Sequence, residues 1–404
     1  MHRQALTGRR HTVLIAPDSF KGSLTSVQVA QALADGWSRA RPDDEVVLCP
    51  LADGGEGTLA AIEAAGGWTP QTASVLDPQF LPVVATWLRS RDGRAYVEMA
   101  QASGLSLVPA RDRHPGLLTT FGTGQVIRDV LDAGIRRITL GIGGSATNDG
   151  GLGVLQALGA RPLDEDGYLV LYHRKADPPI DELTATTPAV FSAIDRIDID
   201  KLDPRLGDTE LEVACDVANP LLGPEGATAV YGPQKGITPD DQWFAEDNLS
   251  TLADALETAT GRNERDTPGA GAAGGVGFGL LSIQDRFKSF ALRPGVDLVI
   301  EATDFPARLA RADLVITGEG RIDAQTGFGK TALGVANRAE AAGVPCIAVG
   351  GGVEPDGIAA LAAVGAVAVP VVERPMSIEE AMAAGTAPLE RCGERLARLL
   401  DLVH

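Results

Sequence analysis

Aromatic residues make up only 4% of this 404-residue chain, so its core must be built from aliphatic side chains. Cysteine is equally sparse. Cys49, Cys215, Cys346 and Cys392 are scattered, no CxxC occurs, and histidine numbers only five, which excludes a structural zinc site of the usual spacing. No apolar run approaches the roughly 18 residues of a membrane span. The opening MHRQALTGRRHT is basic but leads into no signal-peptide apolar segment, so a cytoplasmic, soluble protein is expected. Positive charge is short as well: 35 basic residues face 54 acidic ones, a formal charge of −19. Nucleic acid and anionic membrane need basic surface, so neither is an expected partner. An anionic substrate would have to be drawn in locally, by a few cations, helix N-termini or a metal.

What the chain has in quantity is glycine, 48 residues, much of it in loops that also carry acids. The most informative is GIGGSATNDGG, Gly141 to Gly151, set between the strand-like Ile138-Thr139-Leu140 and a helix starting at Leu152. Such a joint aims backbone N–H groups and a helix dipole at one spot, a common phosphate cradle. Asn148 and Asp149 add the polar company of a phosphate-bound metal. Comparable loops occur at Ala16 to Ser23, Ala52 to Thr58, Cys215 to Pro220, Gly232 to Gly236, Pro268 to Gly275 and Thr317 to Lys330. One such loop is a turn. Several after strands point to a cleft lined by strand ends.

The apolar pattern reads as α/β. Thr12 to Ala16 and Val46 to Leu51 are strand-like, and helical spacing over Leu24 to Trp37 follows a cap at Ser23. Ser74 to Leu76, Val83 to Leu88 and Ala95 to Met99 suit an antiparallel or mixed sheet, and Leu211 to Cys215 reads as another strand. Residues 160 to 210 are irregular. Buried-type strands return at Leu314 to Thr317, Cys346 to Val349 and Ala366 to Val371, and one long helix, Ser377 to Leu400, closes the chain with a Ser377/Glu380 capping box. The expectation is a two-domain α/β protein. Residues 1–70 and 290–404 form a Rossmann/flavodoxin-like domain, residues 71–289 an inserted mixed α/β domain, and the active site lies in the cleft between them.

Two familiar motifs fail on context. Gly269, Gly271 and Gly274 spell GxGxxG, but no strand precedes them, which leaves a dinucleotide-dependent oxidoreductase as a remote alternative. TGFGKT ends like a P-loop, yet the required first glycine is Ala324. The chemistry-bearing residues sit at strand–helix joints: Asp18, Ser19 and Lys21 at the first, Asp53, Glu56 and Thr58 at the second, Asp216 and Asn219 after the Leu211 strand, Glu319 and Asp323 after the Leu314 strand. Gln234 and Lys235 are read as part of a tight GPQKG turn. No Ser-His-Asp order or catalytic-cysteine context appears. Glycine loops, carboxylates and a few lysines suffice for phosphoryl transfer, which needs positioning, charge neutralisation and magnesium. A non-catalytic sugar-acid-binding protein is the other alternative.

IAPDSFKGSLTS, LADGGEGT, QASGLSLVP, GIGGSATNDGGLG, LDPRL, ACDVANPLLGPEGA, YGPQKG, PGAGAAGGVGFGL and ADLVITGEGRIDAQTGFGKTALGVA, in that order, resemble the bacterial type I glycerate kinase family. The resemblance runs from about Val13 to the last helix. It implies two α/β domains and transfer from ATP to D-glycerate, giving 2-phosphoglycerate, with Mg2+. The related alternatives are transfer to the 3-hydroxyl or to another small hydroxy acid. Tyr168 to Ile199 lacks the Gly-Gly pair usual in the family, which bears on substrate identity. Partners are expected to be small molecules only, D-glycerate and ATP, with a homodimer allowed. On this reading Gly143, Gly144, Ser145, Asn148, Gly271 and Gly274 bind nucleotide, and Asp149, with Asp216 or Glu319, binds the metal. Ser19, Lys21, Glu56 and Lys330 contact substrate. Asp18, Lys21, Asp53 and Asp323 are the catalytic candidates.

Overall fold

The computed structural model describes residues 10–171, 185–324 and 331–403, with side chains to residue 400. Among them the strands are, in chain order, β1 (Thr12–Pro17), β2 (Glu45–Leu48), β3 (Trp68–Leu76), β4 (Pro82–Ser90), β5 (Arg94–Glu98), β6 (Arg137–Gly141), β7 (Arg161–Leu163), β8 (Arg196–Asp198), β9 (Glu210–Ala214), β10 (Ser289–Arg293), β11 (Leu314–Ile322), β12 (Cys346–Val353) and β13 (Val367–Pro370). The chain divides into two units. One gathers Met1–Asp53, Gly57–Gly67 and Val296–His404; the other holds Gly54–Glu56 and Trp68–Gly295.

The first unit, the terminal unit, carries a parallel sheet of order β13-β12-β11-β1-β2. Its interior strand β1 is continuous aliphatic chain, Val13 to Ala16 at 0% exposure, as a strand covered on both faces requires. Helix Ser26–Ala40 presents Val29, Leu33 and Trp37 to this core at helical spacing. Its cap is Thr25, in a reciprocal box with Gln28, rather than Ser23, whose hydroxyl donates to the Phe20 carbonyl. The helix packs on the closing helix Ala387–Val403. A Cβ on Gly36 would sit 1.8 Å from the Glu390 carbonyl, so the two backbones touch where no side chain fits. The expected single C-terminal helix is two: Ile378–Ala383, with the Ser377/Glu380 capping box, then Ala387–Val403. Gly385 separates them with φ +62°, outside helical space.

The second unit, the insert, carries a mixed sheet of order β10-β9-β6-β5-β4-β3. Its β3-β4-β5 meander is antiparallel, and β5, β6, β9 and β10 run parallel. Strand β10 has little sequence signal because it lies at the sheet edge, half-exposed, and so carries no continuous apolar run. The stretch expected to be irregular contains the small β7–β8 pair. No helix among the described residues is long and apolar enough to cross a membrane.

Candidate active site

In the terminal unit the chain leaves β1 at Pro17 and places Asp18 at the carboxyl end of the sheet. The Asp18 amide donates to the Gly318 carbonyl of β11 at 2.8 Å. The sheet is built outward from β1 in both directions, so the β1/β11 pair marks the point where connections diverge, and ligands of open α/β sheets settle there. Asp18 is buried. Its carboxylate accepts from the Ser19 amide at 2.5 Å and from the Thr331 hydroxyl at 2.6 Å. Burial pushes its pKa up, Asp53's charge adds to this, and the Thr331 and Ser19 hydrogen bonds oppose it. Lys21 donates to Asp53 at 2.9 Å. Burial works against the charged amine, but Asp53, Asp18 and Glu319 together hold its pKa above the ordinary lysine value. Asp18, Ser19, Lys21, Asp53, Glu319 and Thr331 line one cavity of about 1420 Å³.

Four of the candidates expected here, Asp18, Ser19, Lys21 and Asp53, are thus brought together, with Glu319 beside them. Asp323 is not: it faces Arg321 at 3.4 Å and is not part of the cavity lining. Lys330 lies outside the described residues. Glu56 is exposed and belongs to the insert, where a Cβ on Gly144 would lie 3.8 Å from its own Cβ. Thr331 went unnoticed in the sequence because its role depends on a hydrogen bond spanning 313 residues.

In the insert the glycine loop after β6 is placed differently from the expectation. Gly143 is half-buried and Gly144 exposed, but Ser145, Thr147, Asn148 and Asp149 are buried. Gly271 and Gly274 are buried too. Their missing side chains make room for backbone: a Cβ would meet the Pro220 carbonyl at 2.2 Å from Gly271 and the Thr147 carbonyl at 2.1 Å from Gly274. A Cβ on Gly143 would lie 2.6 Å from Gly55 Cα. Close packing therefore accounts for these glycines without a phosphate. A Gly274→Ala substitution should destabilise the protein by more than about 2 kcal/mol, since φ there is +71° and a carbonyl occupies the space. A thermal melt within a degree or two of wild type would contradict this account.

Two of the three expected metal ligands, Asp149 and Asp216, are engaged by protein donors. Asp149 is fully buried, and its carboxylate accepts from the Thr120 amide and hydroxyl, both at 2.8 Å, and from the Gly151 and Gly153 amides. It ties the loop to the start of helix Phe121–Asp132, leaving no open face for a cation. Asp216 is exposed and accepts from the Gly295 amide at 2.8 Å at the start of helix Gly295–Ala302. Glu319 lines the terminal unit's cavity with Asp18 and Asp53. Among the described residues, no group of three or more His, Cys, Asp or Glu is arranged to hold a metal.

From the sequence no site role attached to Lys235, a buried lysine of the insert. GPQKG is not a free-standing turn but the end of helix Ala227–Lys235, closed by Gly236 in the left-handed region. Lys235 is 2% exposed and donates to Ser145 Oγ at 2.8 Å and to the Thr147 carbonyl at 2.6 Å. Burial lowers its pKa to about 7 against the pull of the Asp149 charge. Beside it, Asn148 Nδ2 donates to Thr228, while Asn148 Oδ1 and Thr147 Oγ1 have no hydrogen-bond partner. The available signal was scarcity: the chain has six lysines, and this one lies in a glycine-flanked segment.

A parallel sheet whose strand ends converge on acids and a lysine is the architecture of a nucleotide- or acid-handling enzyme. The chain belongs to the glycerate kinase family, whose model matches residues 13–401. It is 44% identical over 389 residues to a glycerate kinase of Halalkalibacterium halodurans, covering 96% of this chain and 97% of that protein. It is 42% identical to the glycerate 2-kinase of Escherichia coli, over 85% of this chain and 86% of the relative. The crystal structure of a putative glycerate kinase 2 from Salmonella typhimurium superposes with a TM-score of 0.81 at 39% identity, covering 98% and 99% of the two chains.

Proposed function

We propose that this protein transfers the γ-phosphoryl group of ATP to the 2-hydroxyl of D-glycerate, giving 2-phosphoglycerate and ADP. The observation that carries the reading is the Asp18–Lys21–Asp53–Glu319 cluster at the ends of β1 and β11, in a chain of this family. The name of the Escherichia coli relative supports the 2-position. We read the terminal unit as the Rossmann/flavodoxin-like domain and the other as its insert.

The roles follow from the geometry. Lys21, cationic and held by Asp53, pairs with the glycerate carboxylate or a phosphate oxygen. Asp18, fixed by Thr331 and Ser19, orients the attacking hydroxyl and accepts its proton as the new O–P bond forms and the bond to the ADP oxygen breaks. Magnesium fits this cluster: Asp18 is raised in part by Asp53's charge, a repulsion a divalent cation relieves. Mg2+ needs only one or two protein carboxylates when phosphates and water complete its shell, so Asp18 and Asp53 would hold it. Bound there, it would neutralise charge on the transferring phosphoryl group.

The test is ADP release with magnesium-ATP and D-glycerate, with the product identified by phosphorus NMR. Turnover to 2-phosphoglycerate is expected. A 3-phosphoglycerate product would overturn the position of transfer, and no turnover by folded protein would overturn the reaction.

A further inference from the structure

We propose that the adenosine of ATP binds inside the terminal unit, against the apolar wall of the cavity whose floor is Asp18, Lys21 and Asp53, rather than on the glycine loops of the insert. This rests on the kinase reading above and assigns the nucleoside its place.

The first argument is size. The cavity holds about 1420 Å³, above the roughly 300–1,000 Å³ of ordinary small-molecule sites. A three-carbon acid occupies a small part of that. The second is chemistry. On the side away from Asp18 and Asp53, the lining includes Val371, Met376, Ile378, Met382 and Pro388, interspersed with the charged Glu373, Arg374, Glu380 and Arg391. Glycerate has no apolar surface to offer such a wall, whereas a purine has two faces. Ile378 and Met382 lie four residues apart on helix Ile378–Ala383, hence on one side of it. They are 74% and 42% exposed, so their side chains are open to a ligand in the cavity. Methionine is polarisable and adapts to flat aromatic partners.

The third argument is access. Gly351 and Gly352, at the end of β12, also line the cavity. A Cβ on Gly352 would meet only Arg321 Cγ, at 3.9 Å, so this glycine leaves open space where Gly143, Gly271 and Gly274 lie against backbone. A base between this strand end and the Met382 face would direct its phosphates to the floor, where Lys21 and the carboxylates stand ready for a metal-bound triphosphate.

The experiment uses the full-length protein and a Met382→Glu/Ile378→Glu variant, with Met382→Leu as the conservative control. Calorimetric binding of a non-hydrolysable ATP analogue and the two KM values are the readouts. The expected result is a rise of about tenfold or more in the analogue Kd and in KM for ATP. KM for glycerate should stay within about twofold, and Met382→Leu should resemble wild type. Unchanged nucleotide affinity, or a rise confined to glycerate KM, would overturn the assignment. Should the double variant not fold, photolabelling of wild type with 8-azido-ATP decides: label on residues 370–391 supports the proposal, and label on 141–151 or 269–275 overturns it. Wild-type protein that binds the analogue at this wall yet does not phosphorylate glycerate would sink the kinase reading alone.

Discussion

Asp18→Asn is expected to lower kcat by about two to four orders of magnitude while leaving the fold intact. The amide is isosteric and keeps an oxygen for the Ser19 amide or the Thr331 hydroxyl, so the joint after β1 survives. What is lost, on the proposed mechanism, is the negative charge that would accept the substrate proton and help hold a metal. A second readout separates this from mere disturbance. Burial, reinforced by Asp53, raises the Asp18 carboxyl above its ordinary value. The acid limb of kcat/KM should therefore lie above the pH at which an exposed aspartate titrates, and it should vanish in the variant's residual activity. Near-normal turnover by folded Asp18→Asn protein would remove Asp18 from the mechanism. Thr331→Val should produce a smaller loss in the same direction, since it releases one hold on the same carboxylate.

Lys235→Met is expected to flatten the dependence of stability on alkaline pH. In the folded protein the amine titrates near 7 because it is buried; in the unfolded chain it titrates near the ordinary 10.5. Between those values the unfolded state binds more protons, so wild-type stability rises with pH across that window and is lost as pH falls through about 7. The slope from one such group is at most about 1.4 kcal/mol per pH unit. Asp149, the charged neighbour of Lys235, works in the opposite sense: burial raises its carboxyl, so its contribution falls as pH rises through the folded value. The two charges interact, so the difference between wild type and variant reports on Lys235 together with its effect on Asp149. Urea unfolding of wild type and variant at pH 7, 8, 9 and 10 gives the comparison. Parallel curves would mean that Lys235 stays charged when folded. At neutral pH the geometry already suits the uncharged amine, whose two N–H groups match the two acceptors, Ser145 Oγ and the Thr147 carbonyl.

The strands announced themselves unevenly. Strand β1 was legible because both its faces are covered, and only continuous aliphatic sequence satisfies that. The β3–β5 meander was legible from its turns. Strand β10 was not, because an edge strand needs no apolar run, and the split of the last helix turned on one glycine. The joint after β1 stood out in sequence as a cluster of Asp, Ser and Lys at a strand end, and the structure gathers those residues in one cavity. A glycine that admits a phosphate and one that admits another backbone look alike in sequence; Gly143, Gly271 and Gly274 each lie against backbone, whereas Gly144 is exposed.

The sequence alone determined the alternation of strand and helix, the family, and the acid-and-lysine character of the first strand–helix joint, because each is written in local pattern or local composition. Tertiary structure alone decided which carboxylates keep an open face. Asp149 and Asp18 are both aspartates in glycine-rich loops after strands. One is surrounded by four hydrogen bonds within the protein; the other lines a cavity beside a like charge. That difference comes from contacts between segments far apart in the chain, such as Asp18 with Thr331, and no local pattern encodes them.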